Sequence, residues 1–209
     1  GSTATNLTIG APTLVSGTTY TVVVSLASNS NDGTVLLSMA AGQVSDAVGN
    51  ANVASTSTDN SVTYDTAIPT SVSLAQAAGQ ADPTNASPIS FALTANEALA
   101  TASVTAADFT PTNGTIGTIT CSGTTCAIPV TPTGQGVVSL AKAAGFSVTD
   151  LAGNATTTVT VGDASVTYDS IAPSFTFQQA TGQADPARTT PINFSLTSGE
   201  TIAAASVTS

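Results

Sequence analysis

The sequence predicts an all-β fold built from tandem β-sandwich modules of about 104 residues. Thr, Ser, Val and Gly dominate the composition, and such a composition favours strands and turns over helices. Apolar residues alternate with polar ones in short runs, and no long window carries the apolar stripe of a helix. A junction sequence, VTYDTAIP at 62–69, returns as VTYDSIAP at 166–173 and gives the module length.

Four other segments recur with nearly the same spacing, so the repeat covers most of the chain. They are SGTT at 16–19 and 122–125, VSDAVGN at 44–50 and VTDLAGN at 148–154, GQADP at 79–83 and 182–186, and PISF at 88–91 and PINF at 191–194. Their offsets range from 103 to 106 residues, and such small differences are typical of loop insertions on one template. The chain is therefore predicted to be a tandem repeat.

The predicted strands follow one another about every eight to twelve residues, with Gly, Asn, Asp or Pro between them. The alternating runs lie at residues 20–26, 72–74, 89–93, 159–161 and 166–168. The Ala-rich stretch 98–107 is expected to form one helical turn at most. This spacing of short strands and turns is typical of a β-sandwich.

The module boundaries predict one complete module between two partial ones. Residues 1–66 form the C-terminal part of one module, 67–169 a complete module, and 170–209 the N-terminal part of a third. Half a sandwich exposes a sheet edge and an apolar face, so neither part is expected to be stable alone. Two arrangements would cover these faces: a longer covalent array, or strand complementation between chains in a head-to-tail filament.

The charge balance argues against several classes of function. Twelve acidic residues face only two basic ones, Lys142 and Arg188, and the net charge is −10. Nucleic acid is not an expected partner, because two isolated cations cannot line a phosphate-binding groove, and an anionic membrane surface would repel the chain. No run is long and apolar enough to predict insertion into a bilayer. The chain has no His, so most acid–base and nucleophile-activating groups are missing and no enzymatic activity is expected.

Cys121 and Cys126 flank the sequence SGTT and are the only cysteines of the chain. A glycine-containing hairpin between them would close a small disulfide, which suits an oxidising compartment. A redox or metal-binding pair is the alternative, although four intervening residues do not match the two-residue spacing of redox and zinc motifs. We therefore expect the disulfide.

Three segments resemble the bacterial immunoglobulin-like (Ig-like) repeats of large secreted surface proteins and adhesins. They are VTDLAGN at 148–154, VTYDSIAP at 166–173 and GQADP at 182–186. The resemblance covers the whole chain at the level of modules, and its motifs recur in many such proteins. It implies Ig-like sandwiches strung head to tail outside the cell. It also implies neighbouring modules or copies of the chain as partners, often with calcium at the junctions.

Ten of the twelve acidic residues occupy matching positions in the repeats, which indicates a specific role for them. In an Ig-like topology, the turn with Glu97, the turn with Asp150 and the linker with Asp65 meet at one end of a module. Carboxylate and amide oxygens are suitable ligands for Ca²⁺. The predicted calcium ligands at the junctions are Asp46, Asn50, Asp65, Glu97, Asp150, Asn154, Asp169 and Glu200. The alternative is that Asp46 and Asp150 only form Asx-turns and that the other acids are solvated.

These observations together predict a structural role without catalysis. The chain is expected to be an extender or filament repeat of a bacterial cell-surface protein, extracellular fibre or adhesin. A module that binds carbohydrate or protein is the main alternative, and a non-catalytic module of a secreted hydrolase is another. Binding tips usually carry long loops that differ from those of their neighbours, whereas the loops of these repeats are similar. The sequence therefore favours the extender.

Overall fold

The computed structural model describes residues 1–57 and 59–203, so residues 204–209 of the predicted third module lie outside the described part. Strands contain 40% of the residues and helices only 3%, and the all-β prediction is confirmed. The helical residues form two short 3₁₀ turns at Thr101–Ser103 and Ala106–Asp108. The Ala-rich stretch thus forms two turns where the sequence predicted one at most.

The strands are numbered β1 to β19 in chain order. Up to residue 94 they are β1 Leu7–Ile9, β2 Thr13–Ser16, β3 Thr19–Thr21, β4 Val24–Leu26, β5 Gly33–Leu36, β6 Ser61–Tyr64, β7 Ser73–Gln76 and β8 Ile89–Thr94. The next nine are β9 Phe109–Thr112, β10 Gly114–Ile116, β11 Thr120–Ser122, β12 Thr125–Pro132, β13 Gly136–Lys142, β14 Val148–Thr149, β15 Ala155–Thr156, β16 Thr160–Val161 and β17 Ser165–Tyr168. The last two described strands are β18 Phe175–Gln179 and β19 Phe194–Ser198.

The central segment, residues 67–169, contains two main sheets. The larger has the strand order β10-β12-β8-β7-β16, and β11 also pairs with β12. The smaller has the order β17-β13-β9. Strands β7 and β16 are parallel, and the other neighbours in these sheets are antiparallel. Strands β14 and β15 form a separate antiparallel pair.

One apolar core joins the two sheets of the central segment. Side chains of a strand point alternately to opposite faces, and alternate residues of β8 and β12 are accordingly buried. Phe91 of the larger sheet and Val138 of the smaller sheet are both fully buried in this core. All buried members of the core cluster lie between Val72 and Val166. This arrangement is consistent with a β-sandwich.

The N-terminal segment, residues 1–66, has the same strand register as the second half of the central segment. Gly33 of β5 pairs with Tyr64 of β6, as Gly136 of β13 pairs with Tyr168 of β17. The pairing of β1 with β4 follows that of β10 with β12 in the same way. The predicted strand at 20–26 divides into β3 and β4, because two residues between them leave the ladder.

The C-terminal segment, residues 170–209, contains an antiparallel strand pair in its described part. Strand β18 pairs with β19 as β7 pairs with β8 in the central segment. The central pair is covered by β12 and β16, which extend its sheet on both sides. The pair β18–β19 has no further strand beside it among the described residues.

Candidate metal centre at the linker

Three carboxylates meet where the N-terminal segment joins the central one. Asp65 follows β6, Glu97 follows β8, and Asp150 follows β14. Each contributes an oxygen atom, and the three atoms all lie within 4.8 Å of one another. Asp150 is buried and the other two are half-buried. We call these three residues the acidic cluster, and no other three His, Cys, Asp or Glu side chains of the described residues form such a group.

A hydrogen-bonded loop holds the carboxylate of Asp150. Its Oδ1 accepts bonds from the backbone N–H groups of Ala152, Gly153 and Asn154 at 2.8, 2.7 and 2.9 Å. Its Oδ2 accepts a bond of 2.9 Å from Nδ2 of Asn154. Burial acts to raise the pKa of Asp150, but these bonds, led by those from Asn154, outweigh it and hold the pKa below its ordinary value. Asp150 therefore stays charged although it is buried.

Asn154 connects this loop to the linker, which we define as residues 65–69. Its Nδ2 donates to the backbone carbonyl oxygen of Asp65 at 3.2 Å. The carboxylate of Asp65 in turn accepts a bond of 3.1 Å from the backbone N–H of Ala67. Pro69, at the end of the linker, is fully buried. The linker is thus held at its start by the bond from Asn154 and at its end by the burial of Pro69.

Glu97 is brought to the cluster by the backbone that follows it. Leu99 forms a β-bridge with Asp150, and the N–H of Ala100 donates to the carbonyl oxygen of Thr149 at 2.9 Å. The Oε1 atom of Glu97 is buried and has no hydrogen-bond partner. Burial, and then the charges of Asp150 and Asp65, raise the pKa of Glu97 above its ordinary value. Glu97 therefore lies among negative charges that oppose its ionisation.

Asp32 is a fourth acid near the cluster, and it is not among the calcium ligands predicted from the sequence. Its Oδ1 accepts bonds from the N–H and Oγ1 of Thr66, at 2.9 and 2.8 Å. Its negative charge also raises the pKa of Glu97. In the equivalent turn, Gln135 makes the corresponding bonds to Ser170. Asp32 in one repeat thus corresponds to the neutral Gln135 in the other. The sequence offers no repeated acid that would indicate a role for this position.

Asp46 and Asn50 lie in an exposed loop that shares three of the carboxylate bonds of the Asp150 loop. Oδ1 of Asp46 accepts from the N–H groups of Val48 and Asn50, and Oδ2 accepts from Nδ2 of Asn50 at 2.8 Å. These bonds, led by the Asn50 side chain, lower the pKa of Asp46. No described Asp or Glu completes a three-acid group around it. The structure therefore shows the Asx-turn here without the cluster predicted from the sequence.

Asp169 and Glu200 line one open groove of about 410 Å³ at the start of the C-terminal segment. They correspond in the repeat to Asp65 and Glu97. The described residues provide no third acid close enough to form a group with them. Of the eight ligands predicted from the sequence, the structure thus brings together Asp65, Glu97 and Asp150, with Asn154 as their hydrogen-bonding neighbour.

Cys121 and Cys126 are joined by a disulfide, as expected from the hairpin between them. The two residues face each other in the ladder between β11 and β12. Cys126 is fully buried in the core, whereas Cys121 is packed at its border. The bond fastens the edge strand β11 to the larger sheet and leaves the described chain without a free cysteine.

The acidic cluster has the chemistry of a site for a hard divalent cation. Its donors are carboxylate oxygens, which Ca²⁺ accepts in flexible sets of six to eight together with carbonyl groups and water. Three carboxylates within 4.8 Å repel one another when all are charged. A bound cation would remove this repulsion and would give the buried Oε1 of Glu97 a partner.

No protein-family model, curated protein or solved structure matches the chain. Among the described residues, no helix combines the length and the apolar character that a membrane span requires.

Proposed function

We propose that this chain is a non-catalytic structural repeat of a bacterial extracellular fibre, stalk or adhesin. It consists of tandem Ig-like β-sandwich modules. A calcium ion at the acidic cluster fixes the angle between one module and the next. The chain acts as a spacer that holds another part of a larger assembly away from the cell surface. Its partners are neighbouring modules of the same kind or other copies of the chain.

The matched strand registers support the tandem arrangement. The pair β5–β6 follows β13–β17 residue by residue, and β18–β19 follows β7–β8. One side-chain contact of the linkers is also equivalent, since Asp32 accepts a bond from the N–H of Thr66 as Gln135 does from that of Ser170. Independent folds would not reproduce both the ladders and the loop contacts. These similarities favour two repeats of one template.

The position of the acidic cluster is the observation that most supports a calcium-stiffened junction. Asp65 belongs to the linker, whereas Glu97 and Asp150 belong to two turns of the central segment. A cation held by all three would therefore fasten the linker to the module that follows it. Without the cation, repulsion among the same groups would push the linker away.

The composition supports an extracellular spacer over an enzyme. The disulfide between Cys121 and Cys126 suits an oxidising environment. With no His and only two basic residues, the chain has few groups for proton transfer or nucleophile activation. Two potential tryptic sites in 209 residues would also make an exposed fibre resistant to trypsin.

Hydrogen–deuterium exchange of the chain, with calcium and with a chelator, tests this proposal. We expect calcium to slow exchange in residues 65–70, 97–100 and 150–154. Residues 105–108 serve as an internal control, because Asp108 is bonded to Thr105 and lies outside the acidic cluster. Unchanged exchange in all of these segments would overturn the calcium-stiffened junction.

A further inference from the structure

We propose that the strand pair β18–β19 of one chain docks on strands β3 and β4 of a second copy. The incoming pair would take the position that β7 and β8 hold beside β12 in the central segment. It would complete the sandwich of the N-terminal segment of that copy. The central segment provides the template, since it contains both parts of the interface already assembled.

The C-terminal pair exposes the side chains that its counterpart buries. Val72, Leu74, Ile89, Phe91 and Leu93 are 0–3% exposed in the central segment. Their counterparts Phe175, Phe177, Ile192, Phe194 and Leu196 are 40–74% exposed. The equivalent face is thus apolar in both strand pairs. It is covered in β7–β8 and uncovered in β18–β19.

The N-terminal segment exposes the complementary face. Tyr20 is 58% exposed and Val62 is 69% exposed, whereas their counterparts Cys126 and Val166 are fully buried. Between the strands lies an open groove of about 360 Å³. Its apolar lining is Val22, Val24, Leu26, Val35, Leu37 and Val62. In the central segment, the space in front of the equivalent residues is filled by β7 and β8 side chains.

The template fixes the register of the docked strands. In the central segment, Leu93 pairs with Cys126, Phe91 with Ile128, and Ile89 with Val130. Transferring this ladder by the repeat offsets predicts three core-facing pairs between chains. They are Leu196 with Tyr20, Phe194 with Val22, and Ile192 with Val24. The outward-facing pair Ala92 and Ala127 corresponds to Ser195 and Thr21.

The exposed apolar side chains supply a substantial part of the area that a stable interface needs. A buried phenylalanine contributes about 150 to 250 Å², and the C-terminal pair carries three. A standard interface needs about 800 Å² from each partner. Ile192, Leu196 and the free backbone edge of β19 add to the area from the phenylalanines. The strand ladder adds directional hydrogen bonds, as in other cases of strand addition.

The docking contact joins two different surfaces, the C-terminal segment of one copy and the N-terminal segment of another. Such a head-to-tail contact extends as an open filament when the rotation between copies does not close a ring. The contact also brings Asp46 of one chain towards Asp169 and Glu200 of the other, in the arrangement of Asp150, Asp65 and Glu97. This last consequence rests on the proposed function, because it assigns calcium to the shared acids.

Cysteine cross-linking between two single variants tests the docking. Thr21→Cys and Ser195→Cys chains are mixed and oxidised mildly, and the native cysteines are already paired. We expect a covalent dimer to form in this mixture. Thr21→Cys mixed with Thr197→Cys is the matched control, because those positions lie two residues out of register. We expect at least tenfold less dimer from the control.

Two outcomes would overturn the proposal. One is equal or absent cross-linking in both mixtures. The other is a double variant, Thr21→Cys with Ser195→Cys, that cross-links only within one chain, which would make the chain its own partner. Phe194→Ser should abolish dimer formation without unfolding the central core, because Phe194 lies outside that core. Failure of cross-linking in both calcium and chelator would reject the docking. It would not change the hydrogen–deuterium exchange expected at the linker, so the two proposals can fail separately.

Discussion

The side chain of Asn154 donates a hydrogen bond of 3.2 Å to the backbone carbonyl oxygen of Asp65, 89 residues earlier in the chain. The same amide group binds the buried carboxylate of Asp150. One residue thus joins the linker to the loop that carries the buried acid. This contact fixes the linker backbone at Asp65 to the loop of the buried acid.

The Asn154→Ala variant should loosen the linker and destabilise the central segment. It removes two side-chain hydrogen bonds, and each is worth about 0.5 to 1.5 kcal/mol. We expect a total loss of about 1 to 2 kcal/mol in the free energy of unfolding, measured by denaturant titration. Asn50→Ala is the matched control, because that side chain binds only Asp46 in an exposed loop. A loss for Asn50→Ala as large as that for Asn154→Ala would contradict the role of the linker contact.

The Glu97→Gln variant should be more stable than the wild type in a chelator and should lose the stabilisation that calcium gives the wild type. In a chelator, it removes one of three mutually repelling charges, so the melting temperature should rise by about 2 to 5 °C. In calcium, it removes a ligand, so the stabilisation by the ion should be lost. Differential scanning calorimetry of both proteins in both buffers would show whether the order of their melting temperatures changes. Parallel behaviour of the two proteins in the two buffers would show that Glu97 has no part in ion binding.

The Asp32→Gln variant tests the acid that occurs in only one of the two junctions. Gln135 shows that glutamine can hold the residue after the linker acid, since its Oε1 accepts from the N–H of Ser170 and its Nε2 donates to the Ser170 hydroxyl. The substitution should therefore keep the linker in place while it removes a charge. We expect the calcium Kd to increase about two- to tenfold, because one charge near the ion is lost. Calorimetric titration of the variant would measure the change, and an unchanged Kd would mean that Asp32 acts only through Thr66.

The Asp108→Ala variant should destabilise the core without affecting calcium. Asp108 is buried, and its Oδ2 accepts bonds of 2.8 Å from both the N–H and Oγ1 of Thr105. Removal of the carboxylate leaves these donors without their partner and should cost about 1 to 3 kcal/mol. Asp185→Ala, at an exposed position, should change stability by less than about 0.5 kcal/mol. Equal melting temperatures for the two variants would contradict this role of Asp108.

The sequence predicted the β content well because strand alternation and turn residues are local signals. The alternating run at 89–93 became β8, whose core-facing residues are buried. The proximity of Glu97 and Asp150 could also be predicted, since each is an acid beside a turn that recurs at the matching position of the other repeat. Asp108 and Asp32 were not selected, because neither has an acidic counterpart in the other repeat. Their roles depend on contacts with Thr105 and Thr66 that only the folded chain defines.

The division of the run at 20–26 into two strands could also not be predicted from the sequence. Alternation continues through Val22 and Val23, yet β3 pairs with β2 and β4 pairs with β1. The strand is interrupted at Val22 and Val23, where the pairing changes from β2 to β1. In the central segment, β12 continues unbroken through the same position, where it pairs with β8 along six residues. Strand continuity here therefore follows from the neighbouring strand as well as from the local residues.

Calcium titration of two matched variants by isothermal calorimetry is the direct test of a calcium site at the linker. Asp46 and Asp150 form the same Asx-turn, but only Asp150 belongs to the acidic cluster. We predict that the purified chain binds calcium with a measurable heat, that Asp150→Asn abolishes binding at the linker, and that Asp46→Asn leaves it intact. The absence of binding to the wild type, or equal binding by Asp150→Asn, would contradict a calcium site at this junction.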